Sequence, residues 1–131
     1  MRNVLLPAGL AVLTLSCGGG PSGPTVPLDR AFTLSPGEST HVEDAGFSVR
    51  FLGVFGDSRC PADAVCILGG DASVRISVTA GRASLYELHT GDERPVTHDG
   101  FTIALVQLDP YPFSAQPIQP EDYRATLRVT R

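Results

Sequence analysis

Hydrophobic and polar residues alternate along most of the chain after residue 30, and this period of two is typical of half-buried β-strands. The clearest stretch is residues 72–79, in which Ala, Val, Ile and Val alternate with Ser, Arg, Ser and Thr. Residues 101–108 are apolar on both faces, which is expected for a strand in the middle of a sheet. The pattern predicts strands at residues 31–34, 39–43, 47–55, 72–79, 83–89, 101–108 and 123–130.

Turn-forming residues separate these strands. Pro36, Gly37 and Gly81 stand where tight turns need them, and Gly53 inside a strand predicts a bulge. Residues 34–39, Leu-Ser-Pro-Gly-Glu-Ser, resemble a turn near the start of bacterial Ig-like sandwich domains. Short strands without a convincing helix predict an all-β fold, namely an antiparallel Ig-like β-sandwich of about seven or eight strands. A small β-barrel is the alternative.

A proline-rich segment, residues 109–120, lies between the last two predicted strands. Prolines cannot donate to a strand ladder, so this segment is predicted to cross over one end of the domain. Tyr111 and Phe113, together with Ile118, form either an exposed contact patch or a cap on the core. Tyr123, after two acidic residues, resembles a tyrosine corner, in which the phenol binds nearby backbone.

Residues 1–16 have the parts of a secretory signal peptide: a positive start, an apolar run, and small residues before Cys17. The run is shorter than the roughly 20 apolar residues of a transmembrane helix. Residues 13–17, Leu-Thr-Leu-Ser-Cys, resemble the signal of bacterial lipoproteins, although Thr14 stands where that family usually has Leu. The resemblance implies that the signal is removed and that Cys17 carries a lipid.

Residues 17–27 are rich in Gly and Pro and are predicted to form a tether between the lipid and one domain at residues 28–131. Gly18 follows the cysteine where enterobacterial sorting to the inner membrane uses Asp. This resemblance implies an exported protein anchored to the cell envelope, at the outer membrane or cell surface in preference to the inner membrane.

The net charge and the distribution of basic residues indicate which classes of partner the chain can bind. The formal net charge is −4, and all ten basic residues are Arg. These arginines form no cluster that follows a phosphate backbone, which argues against nucleic acid as a partner. The expected partners are the membrane, through the N-terminal lipid, and a protein or glycan of the envelope.

Cys60 and Cys66 are the two cysteines that remain when Cys17 is assigned to a lipid. In an exported chain they most simply form a disulfide. The surrounding segment, residues 57–71, begins Asp-Ser-Arg-Cys-Pro and resembles a loop in an uncharacterised family of bacterial exported lipoprotein β-domains. The resemblance extends over residues 37–129 and implies no established activity. Members often have an aromatic residue after the second cysteine, where this chain has Ile67 and Leu68.

This loop contains the candidate binding residues. Asp57, Asp63 and Asp71 carry oxygen ligands suited to Ca²⁺, although their spacing is not that of an EF-hand. Arg59 beside a disulfide suits the rigid loop of a protease inhibitor, and a solvated or salt-bridged arginine is the plainer alternative. The five residues between the cysteines are too many for a Cys-x-x-Cys redox site.

Other chemistry finds little support in the sequence. His41, His89 and His98 would form a metal site only if the fold joined three separate segments. The chain has no Gly-x-Ser-x-Gly motif and no Lys for a Ser-x-x-Lys motif, so neither an enzyme nor a cofactor is expected. The sequence favours a non-catalytic cell-envelope lipoprotein that serves as a binding or accessory module. A protease inhibitor acting through Arg59 and a metal-binding domain are the alternatives.

Overall fold

The computed structural model describes residues 24–92 and 94–131. In chain order the strands are β1 (Thr25–Val26), β2 (Phe32–Leu34), β3 (Ser39–Val42), β4 (Phe47–Asp57), β5 (Ala72–Ala80), β6 (Arg82–His89), β7 (Val96–His98), β8 (Phe101–Asp109) and β9 (Arg124–Thr130). A short 3₁₀ helix, Pro120–Asp122, precedes β9. Within the described residues, no helix has the length and hydropathy needed to span a membrane.

The strands form two sheets. One sheet has the order β1-β3-β4-β5-β6, and the other has the order β2-β9-β8-β7. Neighbouring strands run antiparallel except for β1 and β3, which run parallel. The prediction of an antiparallel sandwich is confirmed, and the described residues do not close into the alternative small barrel.

The core lies between the inner faces of the two sheets. Alternate residues of each long strand point into it, which is why the period of two in the sequence predicts these strands correctly. Val26 and Leu28, before β2, also pack against the core. The largest fully buried side chains are Phe47, Phe51, Leu34, Ile76, Leu88, Ile103, Leu127, Val42, Val49, Val74, Val78 and Val129.

Strand β4 is irregular just before it ends. Its register with β5 shifts between Phe51 and Gly53 and again between Val54 and Asp57. Gly53 has a φ of 140°, a conformation that residues with a side chain rarely adopt. The bulge predicted at Gly53 is confirmed, and bulges of this kind bend a strand and increase its twist.

The sequence pattern predicts all the strands except β1 and β7, which have two and three residues. Each lies between residues typical of turns or loops, β1 between Pro24 and Pro27 and β7 between Pro95 and Asp99, and pairing with a neighbour defines them. The carbonyl oxygen of Pro24 accepts hydrogen bonds from the His41 N–H (3.0 Å) and the Thr40 hydroxyl (2.6 Å), beside β1. Thr25 and Val26 therefore extend the first sheet beside β3.

One end of the sandwich gathers the segments of functional interest. Strand β4 ends there beside the start of β5, β6 ends next to them, and β8 ends beside the start of β9. Residues 58–71 connect β4 to β5 and are called the disulfide loop. Residues 110–123 connect β8 to β9 and are called the crossover. Together they form what is called the loop end.

Candidate functional site

The centre of the loop end is the side chain of Arg59, which is almost fully buried. Its guanidinium forms a bidentate ion pair with Asp57, with Nε 2.9 Å from Oδ1 and Nη2 2.7 Å from Oδ2. Nη1 donates to the carbonyl oxygen of Leu108 and Nη2 to that of Pro110, both at 3.0 Å. Arg59 therefore joins the end of β4 in one sheet to the end of β8 in the other.

Asp57 and Tyr123 complete this arrangement. The Tyr123 hydroxyl donates to Asp57 Oδ2 at 2.9 Å, and the Arg59 backbone N–H donates to Oδ1 at 3.2 Å. Burial by itself raises the pKa of Asp57, but the hydrogen bonds from Arg59 and Tyr123 outweigh it and bring the pKa below 3.8. Burial, followed by the bond to Asp57, raises the pKa of Tyr123 to about 12. Four donors thus converge on one carboxylate.

The resemblance of Tyr123 to a tyrosine corner is wrong in its partner. The phenol donates to the side chain of Asp57, which is 66 residues away in the chain, and not to nearby backbone. The carboxylate is the stronger acceptor, because hydrogen bonds to an ionised group are shorter and stronger than those to a carbonyl.

The disulfide loop is fixed by bonds at its base and along one side. Cys60 and Cys66 form the predicted disulfide. At the base, the Ser58 N–H donates to the Asp71 carbonyl at 2.7 Å, and a Cβ added to Gly70 would lie 1.5 Å from the Ser58 carbonyl oxygen. Along the side, the Ala62 N–H donates to the Pro112 carbonyl at 2.9 Å. The loop therefore has one defined position against the crossover.

The two remaining aspartates of the loop bind different groups. Asp63 Oδ1 accepts hydrogen bonds from the backbone N–H of Ser114 at 2.9 Å and from its hydroxyl at 3.1 Å. The backbone hydrogen bond is the main reason why the pKa of Asp63 lies below 3.8. Asp71 accepts from the Gly91 N–H at 2.7 Å and approaches His89 Nδ1 at 2.6 Å. Each aspartate thus holds a separate contact of the loop.

Asp71 and His89 have the geometry of an acid–base pair, but the histidine has a second carboxylate neighbour. Its Nε2 lies 3.1 Å from Glu87 Oε1, so both ring nitrogens face carboxylates. A general base needs one ring nitrogen within reach of the substrate proton. In this arrangement Asp71 occupies Nδ1 of His89, and Glu87 lies near its Nε2.

The structure shows how the loop compares with two predicted roles, protease inhibition through Arg59 and metal binding by the three aspartates. A protease inhibitor must present the side chain of its arginine to the enzyme, whereas only 6% of the Arg59 side chain is exposed. Arg59 is thus not presented as the exposed side chain that this alternative requires. Asp57, Asp63 and Asp71 do not converge, and the described parts of the chain contain no group of three or more His, Cys, Asp or Glu placed to hold a metal ion.

The three histidines also lie apart. His41 Nδ1 lies 3.3 Å from the Ser48 hydroxyl, on strands β3 and β4. His98 Nδ1 lies 2.7 Å from the Tyr86 hydroxyl, and its ring packs edge-on against Phe47. His89 lies at the loop end with Asp71. The fold does not bring these side chains together.

The crossover exposes two aromatic side chains. Tyr111 and Phe113 are about half exposed, whereas Ile118 is partly buried against the core. Ile118 thus forms the cap and the two aromatic residues form the exposed patch, so each of the predicted alternatives describes part of the segment. The Arg59 guanidinium lies 5.6 Å from the centroid of the Tyr111 ring, which is within the range of a cation–π contact.

Two hollows lie beside these aromatic residues, and Arg59 is in the wall of both. The first, of about 200 Å³, lies between His89 of β6, residues 105–108 of β8 and Tyr111. The second, of about 340 Å³, lies between the disulfide loop and the crossover and includes Phe113 in its wall. The polar groups of Arg59, Asp57 and Tyr123 bond to one another and hold the shape of these walls.

Sequence reasoning identifies the segment but not its organisation. Asp57-Ser58-Arg59 contains a signal for a local ion pair, because the two charges are separated by one residue. No local signal indicates Leu108, Pro110 or Tyr123 as partners, since they are about 50 to 66 residues distant.

Cys17, the predicted site of lipid attachment, lies outside the described residues. Comparison of the chain with family models, with curated proteins and with solved structures finds no match.

Replacement of Arg59 by Met is expected to lower the free energy of unfolding by about 3–5 kcal/mol, because it leaves the partly buried Asp57 without its counter-charge. Arg75 and Glu87 provide a matched control, since their side chains form an ion pair at 3.3 Å but are 49% and 42% exposed. Arg75→Met should cost about 0–1 kcal/mol. Urea unfolding followed by circular dichroism measures both, and equal losses would contradict the central role of Arg59.

The hydroxyl of Tyr123 is expected to stabilise the fold in a pH-dependent manner. Its pKa rises from 10.0 to about 12 on folding, so its contribution is complete below pH 10 and is lost as the pH rises from 10 toward 12. The difference in unfolding free energy between the wild type and Tyr123→Phe should therefore be about 2 kcal/mol at pH 8 and shrink above pH 10. Urea titrations at several pH values measure it.

The control is the same comparison of Tyr with Phe at position 123, made in a protein that also carries Asp57→Asn. That protein lacks the carboxylate that binds the phenol. The pH dependence should be weaker there. A difference that is constant with pH in the wild-type background is incompatible with the bond between Tyr123 and Asp57.

Proposed function

We propose that this chain is a non-catalytic cell-envelope lipoprotein that binds a protein or glycan partner at its loop end. In this proposal residues 1–16 direct export, Cys17 carries the lipid, and the outer membrane or cell surface is the location. The observation that carries the proposal is the rigid loop end, in which buried polar bonds hold two exposed aromatic residues beside shallow hollows.

The disulfide supports export. Disulfides persist in oxidising compartments and are rare in a reducing cytosol. A ring closed by Cys60 and Cys66 is small, and the loop-entropy model gives it about 2 kcal/mol of stabilisation. This bond therefore has more effect on the shape of the loop than on the stability of the whole domain, and it acts only where the thiols are oxidised.

Tyr111 and Phe113 support binding. Aromatic side chains are enriched in the centres of protein interfaces, where they add a large contact area at a small cost in conformational entropy. Both residues lie on a segment held by the Ala62–Pro112 and Asp63–Ser114 bonds. A partner would therefore meet a surface that is already ordered, which reduces the entropy lost on binding.

The bonding of the ionisable groups supports a non-catalytic role. Asp57, Arg59 and Tyr123 bind one another, and His89 Nδ1 is bonded to Asp71. Catalytic acids and bases need an open position for the reacting atom. These groups have the arrangement expected of a scaffold that supports a binding surface.

The lipid anchor is tested by labelling cells with radioactive palmitate. The wild-type chain should incorporate the label and separate with membranes, whereas Cys17→Ala should remain unlabelled and be released from them, because it lacks the acceptor thiol. A Cys60→Ser, Cys66→Ser double variant is the matched control and should keep the label. Label that persists in Cys17→Ala would refute attachment at this cysteine.

The binding surface is tested by photo-crosslinking in the native envelope. A photoreactive phenylalanine analogue at position 113 should form a discrete adduct, because the side chain is exposed on an ordered surface. The same analogue at Leu85, an exposed residue of β6, is the control. Sensitivity of the adduct to a protease or a muramidase separates a protein from a cell-wall glycan. Identical adducts from both positions, or none from position 113, would exclude this surface.

A further inference from the structure

The guanidinium of Arg59 has one hydrogen-bond donor that the described part of the fold does not use. A guanidinium carries five N–H groups. Four of them bond within the domain: Nε and Nη2 to Asp57, Nη2 also to the Pro110 carbonyl, and Nη1 to the Leu108 carbonyl. The second N–H of Nη1 has no partner among the residues that the structure describes. Since only 6% of the side chain is exposed, a ligand oxygen that reaches this N–H completes the bonding of a buried group.

The unused N–H lies on the side of the first hollow, the one of about 200 Å³. Among the described residues, Leu108, whose carbonyl bonds to Nη1, is in the wall of the first hollow only. Asp57, which bonds to the Nε and Nη2 side of the guanidinium, is in the wall of the second hollow only. Arg59 therefore turns its Nη1 side toward the first hollow and offers a ligand there one directed donor.

The charges around the first hollow favour a neutral ligand. Asp57 already neutralises the positive charge of Arg59. Three further carboxylates contact residues of the wall, namely Asp71, Glu87 and Asp109. A carboxylate or phosphate in the hollow would be repelled by these groups without a free counter-charge. The acceptor that suits Nη1 is therefore an uncharged oxygen, such as an amide carbonyl.

Aliphatic side chains lie next to this donor. Leu105, Val106 and Leu108 of β8 form the wall on that side. An acetamido group carries a carbonyl oxygen and a methyl group on the same carbon. When the oxygen accepts from Arg59 Nη1, the methyl group can pack against the aliphatic wall and leave water. The acetamido group thus combines the acceptor, the apolar part and the lack of charge that this side of the hollow requires.

The remaining wall suits a sugar ring. Tyr111 is 54% exposed and lines the hollow. The C–H groups on one face of a pyranose are weakly positive and are attracted to the negative face of an aromatic ring. Gln107 Nε2 donates to Asp109 Oδ1 at 2.7 Å, which orients the amide so that Oε1 can accept from a sugar hydroxyl. The hydroxyl of Thr90 is also in the wall.

The size of the hollow limits what enters it. Sites for drug-sized ligands have volumes of about 300–1,000 Å³. A hollow of about 200 Å³ is smaller, so it suits a single residue of a longer molecule.

We propose that the first hollow binds one N-acetylhexosamine residue of a glycan, with the acetamido carbonyl on Arg59 Nη1 and the sugar ring on Tyr111. This inference rests on the proposed function and names a glycan as the class of partner. A peptide carbonyl would satisfy Nη1 equally well, but a peptide backbone lacks the hydroxyl groups that Gln107 and Thr90 can bind.

Saturation-transfer NMR on the purified chain tests the class of ligand. The probe is tri-N-acetylchitotriose, and the matched control is cellotriose, which has a hydroxyl in place of each acetamido group. Saturation should pass most strongly to acetyl methyl protons of the probe and only weakly to cellotriose. Equal transfer to the two trisaccharides, or none to the acetylated one, would overturn the proposal.

The position of the ligand is tested with variants. Tyr111→Ala should weaken binding of tri-N-acetylchitotriose about tenfold, because it removes the aromatic wall. Phe55→Ala is the matched control, since Phe55 is 57% exposed on β4 and lies outside the wall of the hollow, and it should bind as the wild type. Thermal unfolding verifies that each variant is folded. Equal affinities of the two variants contradict the placement of the sugar.

The bond to Arg59 has its own readout, which avoids removing a side chain that the fold needs. In the ¹⁵N-labelled wild-type chain, the Nη1 resonance of Arg59 should shift on addition of tri-N-acetylchitotriose and stay fixed with cellotriose. A resonance that does not move while the acetylated sugar binds is incompatible with the proposed hydrogen bond.

Failure of this inference and failure of the proposed function are distinguishable. The crosslink at position 113 reports a partner of either class. A protease-sensitive adduct there, without binding of tri-N-acetylchitotriose, refutes the glycan and keeps the loop end as a protein-binding surface. An N-acetyl dipeptide amide that binds as tightly as the trisaccharide would also refute the sugar, because it assigns Nη1 to a peptide carbonyl.

Discussion

The buried guanidinium of Arg59 is the constraint on which the loop end depends. A charged group removed from water is stable only with a counter-charge and with acceptors for its remaining protons. Asp57 supplies the charge, and the carbonyl oxygens of Leu108 and Pro110 supply the acceptors. These groups come from both sheets, so satisfying one side chain fixes the position of the disulfide loop relative to the crossover.

The alternation of apolar and polar residues, together with the residues that form turns, predicts most of the fold. The inward residues of β4, β5 and β9 can be identified from alternation because burial on one face of a strand has a period of two. Strands β1 and β7 are short and lie between prolines and turn residues, where alternation gives no signal. They exist through pairing with β3 and β8, and such pairing depends on the whole topology.

The site is less predictable, because its important contacts are distant in sequence. The Cys60–Cys66 pair is local and could be predicted. Arg59 looks like a surface residue when only its neighbours are considered, and its burial follows from carbonyls about 50 residues away. Tyr123 illustrates the same limit, since a resemblance to a known corner predicts a bond to nearby backbone and the fold offers the stronger carboxylate.

At the loop end a charged side chain is buried while several aliphatic side chains are exposed. The guanidinium of Arg59, which water would solvate well, is buried and paired with Asp57, whereas the aliphatic side chains of Val65, Ile67 and Leu68 are left in water. Hydrophobic collapse alone would favour the reverse. The bonds that pair the charges also hold the loop outward, because Arg59 and Asp71 are at the two ends of the segment that carries the apolar residues. Burial of the arginine and exposure of these aliphatic side chains are therefore consequences of the same arrangement.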